Sequence, residues 1–97
     1  MQRGFMMNDN RTQYFSVINE SENRVSNILI DVYQALIQKG YNPINQMTGY
    51  IMSGDPTYIT GYNNSRSKIT QINRDDIVEE LVRAFVEYHH LNDTKDR

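Results

Sequence analysis

The chain has 97 residues, which is enough for one small domain. Its 10 basic and 12 acidic side chains give a formal net charge of −2, without the concentrated positive charge that nucleic-acid binding requires. The absence of Cys excludes disulfides, thiol chemistry and cysteine-based zinc sites. No segment has the length and apolar character of a membrane span or signal peptide, so we expect a cytoplasmic protein without membrane insertion.

Residues 1–18 are polar and rich in Asn and Gln, and they lack a sustained helical period. They are typical of a flexible N-terminal tail. We expect a helical domain over residues 19–91 and a second polar tail over residues 92–97.

The first predicted helix begins at Asn19, where Glu22 completes a capping pattern, and it ends at Gly40. Two adjoining apolar rows run along it, and together they are too wide for one contact. A domain of this size also buries only about 60–65% of the surface of its unfolded chain. We therefore expect a homodimer, with Tyr33 and Ile37 in the dimer interface.

The middle of the chain is divided by short helix signals. Asn42 followed by Pro43 predicts a helix over residues 43–52, and Ser53-Gly54 ends it. Asp55-Pro56 predicts one helical turn through residue 58. Residues 60–64 are predicted to form a loop, and residues 65–72 a short helix.

The final predicted helix is capped by Asn73 and carries acidic residues in its first turns. Its apolar residues recur at helical spacing and predict a buried stripe: Ile77, Val78, Leu81, Val82 and Phe85, extended by Tyr88. Without a convincing pair of strands, the fold class is all-α, with about four to five helices.

No pattern in the chain demands catalysis, a metal or a cofactor. Asp76 and Glu80 share a helix face, but complementarity to the helix dipole explains them better than metal binding does. His89 and His90 are adjacent and point to different sides of a helix. The Ser53-Gly54-Asp55 stretch is more typical of helix punctuation than of a phosphate loop.

Arg66, Lys68 and Arg74 lie in a stretch without acidic residues between positions 55 and 75. This stretch is either a solvated basic face or a surface for an acidic or phosphorylated partner, and composition alone favours the former. In the tail, Thr12 places a hydroxyl within reach of a kinase.

Three segments carry a family resemblance: GYNPINQMTGYIMSGDPTYI at residues 40–59, DVYQALIQKGYNP before and into it, and NRDDIVEELVRAFVE near the C-terminus. In this order they resemble the IreB family of regulatory phosphoproteins, over roughly two thirds of the chain. Thr60-Gly61-Tyr62 departs from the Pro-Arg-His stretch usual in that family, and Thr70 stands where another Arg is common.

The resemblance implies a small helical homodimer that a PASTA-type Ser/Thr kinase phosphorylates. It implies negative control of peptidoglycan synthesis and cephalosporin resistance, through Clp-dependent turnover of UDP-N-acetylglucosamine enolpyruvyl transferase. The expected partners are the kinase, the Clp protease or its adaptor, and that cell-wall enzyme. Thr12 has the family's spacing before the aromatic pair Tyr14-Phe15, which makes it the expected phosphosite, and Arg66, Lys68 and Arg74 are the expected partner-binding residues.

Two other classes of function remain open. One is a dimeric scaffolding protein without a phosphorylation switch. The other, less well supported by the residues, is a small metal-dependent or nucleotide-binding enzyme.

Overall fold

The computed structural model describes the backbone of residues 9–92 and the side chains of residues 23–92. These residues form α1 (Asp9–Gln38), α2 (Pro43–Ser53), α3 (Ser65–Thr70) and α4 (Arg74–Tyr88). Two 3-10 turns, Pro56–Tyr58 and Tyr62–Asn64, join α2 to α3. No strand occurs among the described residues, and the predicted all-α class is confirmed.

Helix α1 begins at Asp9, ten residues before the start predicted at Asn19. Its 30 residues include neither Gly nor Pro. The helix is stabilised by core packing from Val25 onward, and no helix-breaking residue prevents it from extending back to Asp9. Asn19 therefore lies inside the helix and does not cap it. The flexibility of residues 1–18 stays a prediction, and residues 1–8 and 93–97 lie outside the described residues.

The end of α1 and the start of α2 follow the predicted signals. Gly40 adopts φ +85, and the N–H of Tyr41 donates to the carbonyl of Leu36 over 2.9 Å, which closes α1 with a left-handed cap. The Asn42 side chain accepts a hydrogen bond from the N–H of Asn45, with Pro43 in the first helical position. Both predicted boundaries are confirmed.

The core lies where α1 meets the other three helices. Four residues of α1 and one or two from each later segment form it: Val25, Leu29, Val32, Leu36, Tyr50, Ile59, Ile69, Ile72 and Ile77. Burial of each such side chain contributes about 1.5–3 kcal/mol to folding. Ile59 is fully buried although it lies in the connection between α2 and α3, so it anchors that connection to the core.

The buried stripe predicted on α4 is wrong for the single chain. Ile77 is fully buried, whereas 60% of Phe85 and 79% of Tyr88 are exposed. Val78, Leu81 and Val82 are exposed as well. The helical period was read correctly, but beyond Ile77 the single chain does not enclose these side chains.

Candidate partner-binding surfaces

Large apolar side chains are exposed on both α1 and α4. They are called the apolar face below: Ile30, Tyr33, Ile37, Val78, Leu81, Val82, Phe85 and Tyr88. Exposed apolar side chains in this number on two packed helices are characteristic of a protein-binding site. Tyr33 and Ile37, predicted for a dimer interface, are 44% and 50% exposed and belong to this face.

A shallow groove of about 300 Å³ opens within the apolar face. Its walls come from α1, α2 and α4, with Tyr33, Met47 and Leu81 among the lining residues. The lining is predominantly apolar and suits an inserted aliphatic or aromatic side chain.

Arg66 is bound to the connection between α2 and α3. Its Nε donates to the carbonyl oxygens of Ile59, at 2.9 Å, and Pro56, at 3.2 Å. These two bonds hold the 3-10 turn that begins at Pro56 against α3. Arg66 is also exposed, so the same side chain combines a structural role with access to solvent.

Arg74 joins the start of α4 to the end of α2. Its Nη1 donates to the carbonyl oxygen of Ile51 over 2.9 Å, which satisfies one of the carbonyls that a helix end leaves unpaired. The positive charge also lies at the negative end of the α2 dipole. The guanidinium rests against Gly54, where an added Cβ would lie 2.8 Å from the Arg74 Cζ.

Lys68 points elsewhere. Its Nζ forms an ion pair with Asp31 of α1, at 3.3 Å from Oδ2. Arg66 therefore binds the connection that follows α2 and Arg74 binds the end of α2, whereas Lys68 binds α1. Each of the three residues predicted to bind partners therefore has a contact within the chain. The three contacts are made to different parts of the fold.

Thr12, the predicted phosphosite, is the fourth residue of α1. Its backbone is helical, and its side chain lies outside the described residues.

The Ser53-Gly54-Asp55 stretch is organised by its own hydrogen bonds. The hydroxyl of Ser53 donates to the carbonyl of Gly49 and accepts from the N–H of Asp55. The Asp55 carboxylate accepts from the backbone N–H and the hydroxyl of Thr57, at 3.0 and 2.7 Å. These bonds lower the pKa of Asp55 below its ordinary value, and the bond from the Thr57 backbone N–H has the largest effect. The geometry is that of a helix end followed by a capped turn.

The other residues considered for chemistry have ordinary surroundings. Within the described part of the chain, no three His, Asp or Glu side chains are arranged to hold a metal ion. The His89 ring lies 4.4 Å from Phe85 and 5.0 Å from Tyr88, between centroids, and so extends the aromatic end of α4.

Sequence reasoning missed a contact between α2 and the turn that follows it. The Gln46 side chain donates to the carbonyl oxygen of Tyr58 over 3.0 Å, and the Tyr58 ring lies directly over Gly49. A Cβ at Gly49 would overlap that ring. The available signal was Gly49 itself. A Gly inside a helix destabilises it by about 1 kcal/mol relative to Ala, so its presence indicates that another group packs closely against the helix there.

Among the described residues, none of the helices is both long and apolar enough to cross a membrane.

Comparison with known proteins places the chain in a family. The IreB regulatory phosphoprotein family matches residues 10–87. A "UPF0297 protein" of Ruminiclostridium cellulolyticum is 54% identical over 84 residues, which span 87% of this chain and 96% of that protein. A "UPF0297 protein" of Lachnoclostridium phytofermentans is 51% identical, and the match spans 87% of this chain and 96% of that protein. A "UPF0297 protein" of Acetivibrio thermocellus is 49% identical, and the match spans 84% of this chain and 90% of that protein. The chain therefore belongs to the IreB regulatory phosphoprotein family.

Proposed function

We propose that this protein is a cytosolic, non-enzymatic regulator that acts by binding other proteins and is itself switched by phosphorylation. The family match over residues 10–87 carries this proposal, because that family is described as one of regulatory phosphoproteins. The surface chemistry supports it: the exposed groups form apolar and polar binding surfaces, and the polar residues around the turns are engaged in holding the fold.

We propose that the protein is a homodimer joined through the apolar face. Eight large apolar side chains of this face are exposed in the single chain, an arrangement that favours association. A stable interface needs about 800 Å² from each partner. The surface spans two helices, and its groove can receive a side chain from a second copy.

We propose that Thr12 is the phosphosite and that a PASTA-type Ser/Thr kinase modifies it. A phosphate adds about −1.5 to −2 charges. In the first turn of α1 that charge lies near the positive end of the helix dipole, so the modified residue favours the helical start. The modification then changes the charge of a surface at the far end of α1 from the apolar face.

The regulated process, in this proposal, is cell-wall synthesis. The unmodified protein would promote Clp-dependent turnover of UDP-N-acetylglucosamine enolpyruvyl transferase, and phosphorylation would relieve this, which links the protein to cephalosporin resistance. Arg66, Lys68 and Arg74 would contribute to the client surface. The alternative is a dimeric scaffold with no phosphorylation switch.

Kinase treatment followed by site mapping separates these two functions. We expect a PASTA-type kinase with ATP to add one phosphate to the wild type and none to Thr12→Ala. Pull-down of the cell-wall enzyme and the Clp adaptor should then differ between unmodified and phosphorylated protein, and Thr12→Ala should behave as unmodified after the same treatment. Phosphate on a different residue would refute the assignment of Thr12, and equal recovery of partners in both states would favour the scaffold.

A further inference from the structure

A second groove in the molecule has a polar lining. It lies between α1 and the end of α3 and has a volume of about 490 Å³. Six side chains that can hydrogen-bond line it: Asn23, Arg24, Asn27, Asp31, Lys68 and Gln71. The α1 residues lining this groove differ from those lining the apolar groove.

The polar groove has a regular row of hydrogen-bonding groups. Asn23, Asn27 and Asp31 recur every fourth residue, so they follow one another along α1 at intervals of about 6 Å. Two residues of an extended peptide span about 6.6–7.2 Å. The amides of Asn23 and Asn27, which both donate and accept, therefore match backbone groups two residues apart in an extended chain.

The charges of the groove select the side chains of such a chain. Arg24 lies beside Asn23, and Lys68 stands across from Asp31, so the described lining residues include two cations and one carboxylate. The Lys68–Asp31 pair is solvent-exposed, and an exposed pair contributes only about 0–1 kcal/mol, so an incoming carboxylate exchanges readily with it.

We infer that this groove binds an extended acidic segment of a partner protein. The amides of Asn23, Asn27 and Gln71 bond to its backbone, and Arg24 and Lys68 bind its carboxylates. Asp31 limits the affinity, because its negative charge occupies Lys68. The inference rests on the proposed role as a partner-binding regulator, and it adds a surface that requires neither dimerisation nor a phosphate on Thr12.

The experiment measures binding of a fluorescein-labelled peptide of alternating Gly and Glu to the full chain by fluorescence anisotropy at low salt. We expect Arg24→Gln and Lys68→Gln each to weaken binding about three- to tenfold, as loss of one charge-assisted contact does. Asp31→Asn should tighten binding about threefold. Lys39→Gln is the matched control, since Lys39 directly follows α1, lies over the Tyr62 ring and is not among the residues lining the groove, and it should leave affinity unchanged.

Circular dichroism of each variant verifies folding, and a peptide of alternating Gly and Lys tests the sign of the charge preference. The inference is overturned by an absence of Glu-peptide binding, by equal binding of the Lys peptide, by a loss in Lys39→Gln as large as in Arg24→Gln, or by weaker binding in Asp31→Asn. The kinase mapping uses neither the peptide nor these variants, so failure of the groove and failure of the phosphorylation switch are distinguishable.

Discussion

Arg74 and Ile51 are 23 positions apart in the chain, yet the Arg74 guanidinium donates to the Ile51 carbonyl oxygen over 2.9 Å and so ties the first turn of α4 to the last turns of α2. The apolar face depends on how α4 is held against the other helices, and this bond is one of the attachments that hold it. Arg74 therefore has a structural role whether or not it also contacts a partner.

Replacement of Arg74 by Ala should destabilise the fold by about 1–3 kcal/mol, because a charged hydrogen bond and a helix-end interaction are lost together. Urea unfolding followed by circular dichroism measures this. Lys68→Ala is the control: Lys68 forms an exposed ion pair with Asp31, and such a pair contributes about 0–1 kcal/mol. Equal losses in the two variants would show that the Arg74 contact with α2 contributes nothing specific.

Gly49→Ala should destabilise the protein by about 1–3 kcal/mol, although Ala is the better helix former, because its Cβ overlaps the Tyr58 ring. In Tyr58→Ala the ring is absent, and the same Gly49→Ala change should become neutral or stabilising. A double-mutant cycle in thermal unfolding measures this coupling. Gly61→Ala is the control, since a Cβ there meets no atom within 4 Å. Additive effects of the two changes would contradict the contact.

Ser65→Ala should stabilise the fold by about 1 kcal/mol. Ser65 is fully buried, and its hydroxyl oxygen has no hydrogen-bond partner in the described part of the chain, so the unfolded state solvates a group that the folded state leaves unsatisfied. Ser67→Ala, at an exposed position on the same helix, serves as the reference and should change little. A lower Tm for Ser65→Ala would show that the hydroxyl is satisfied in solution.

Asp55 should make stability depend on acidity. Its pKa in the folded protein is below the ordinary value of 3.8, so its contribution is complete above that value and is lost as the pH falls through the lower, folded pKa. Asp55→Asn retains an acceptor oxygen but does not titrate. We expect the free energy of unfolding of the wild type, relative to Asp55→Asn, to decrease on acidification from about pH 7 to about pH 2. A difference that is independent of pH would contradict the assignment.

Charge on the apolar face should abolish the proposed dimer. Phe85→Glu and Tyr33→Glu each place a carboxylate on surface that a second copy would bury, at a cost of several kcal/mol when unpaired. Light scattering at micromolar concentration should give a dimer mass for the wild type and a monomer mass for these variants. Ser67→Glu, on α3, is the matched control and should remain a dimer. A monomeric wild type would refute this arrangement.

Local signals accounted for most of the fold. Gly40, Asn42 and Gly54 determine helix ends through the geometry of one or two residues, so their effects were readable from the sequence. The start of α1 was missed because the pattern at Asn19 is also compatible with a helix interior. On α4, periodicity identified the apolar side but carried no information on whether the same chain or another molecule covers it.

The contacts of the candidate surfaces were less accessible to sequence reasoning. Arg66, Lys68 and Arg74 were grouped because they are close in sequence, but their bonds are made to residues 7 to 37 positions away. Such pairings depend on how the helices cross, which residue type and spacing do not encode.

Helix α1 is continuous from Asp9 to Gln38, and this has a consequence for signalling. Thr12 and Tyr33 are 21 residues apart on one helix, which separates their backbones by about 32 Å. At physiological ionic strength, charges in water are screened over about 8 Å. In the proposed switch, a phosphate on Thr12 would therefore exert almost no direct Coulombic force on the apolar face of its own chain. Its effect would be local, on a molecule that touches the first turns of α1, so a partner that distinguishes the two states of Thr12 would have to bind at that end of the helix.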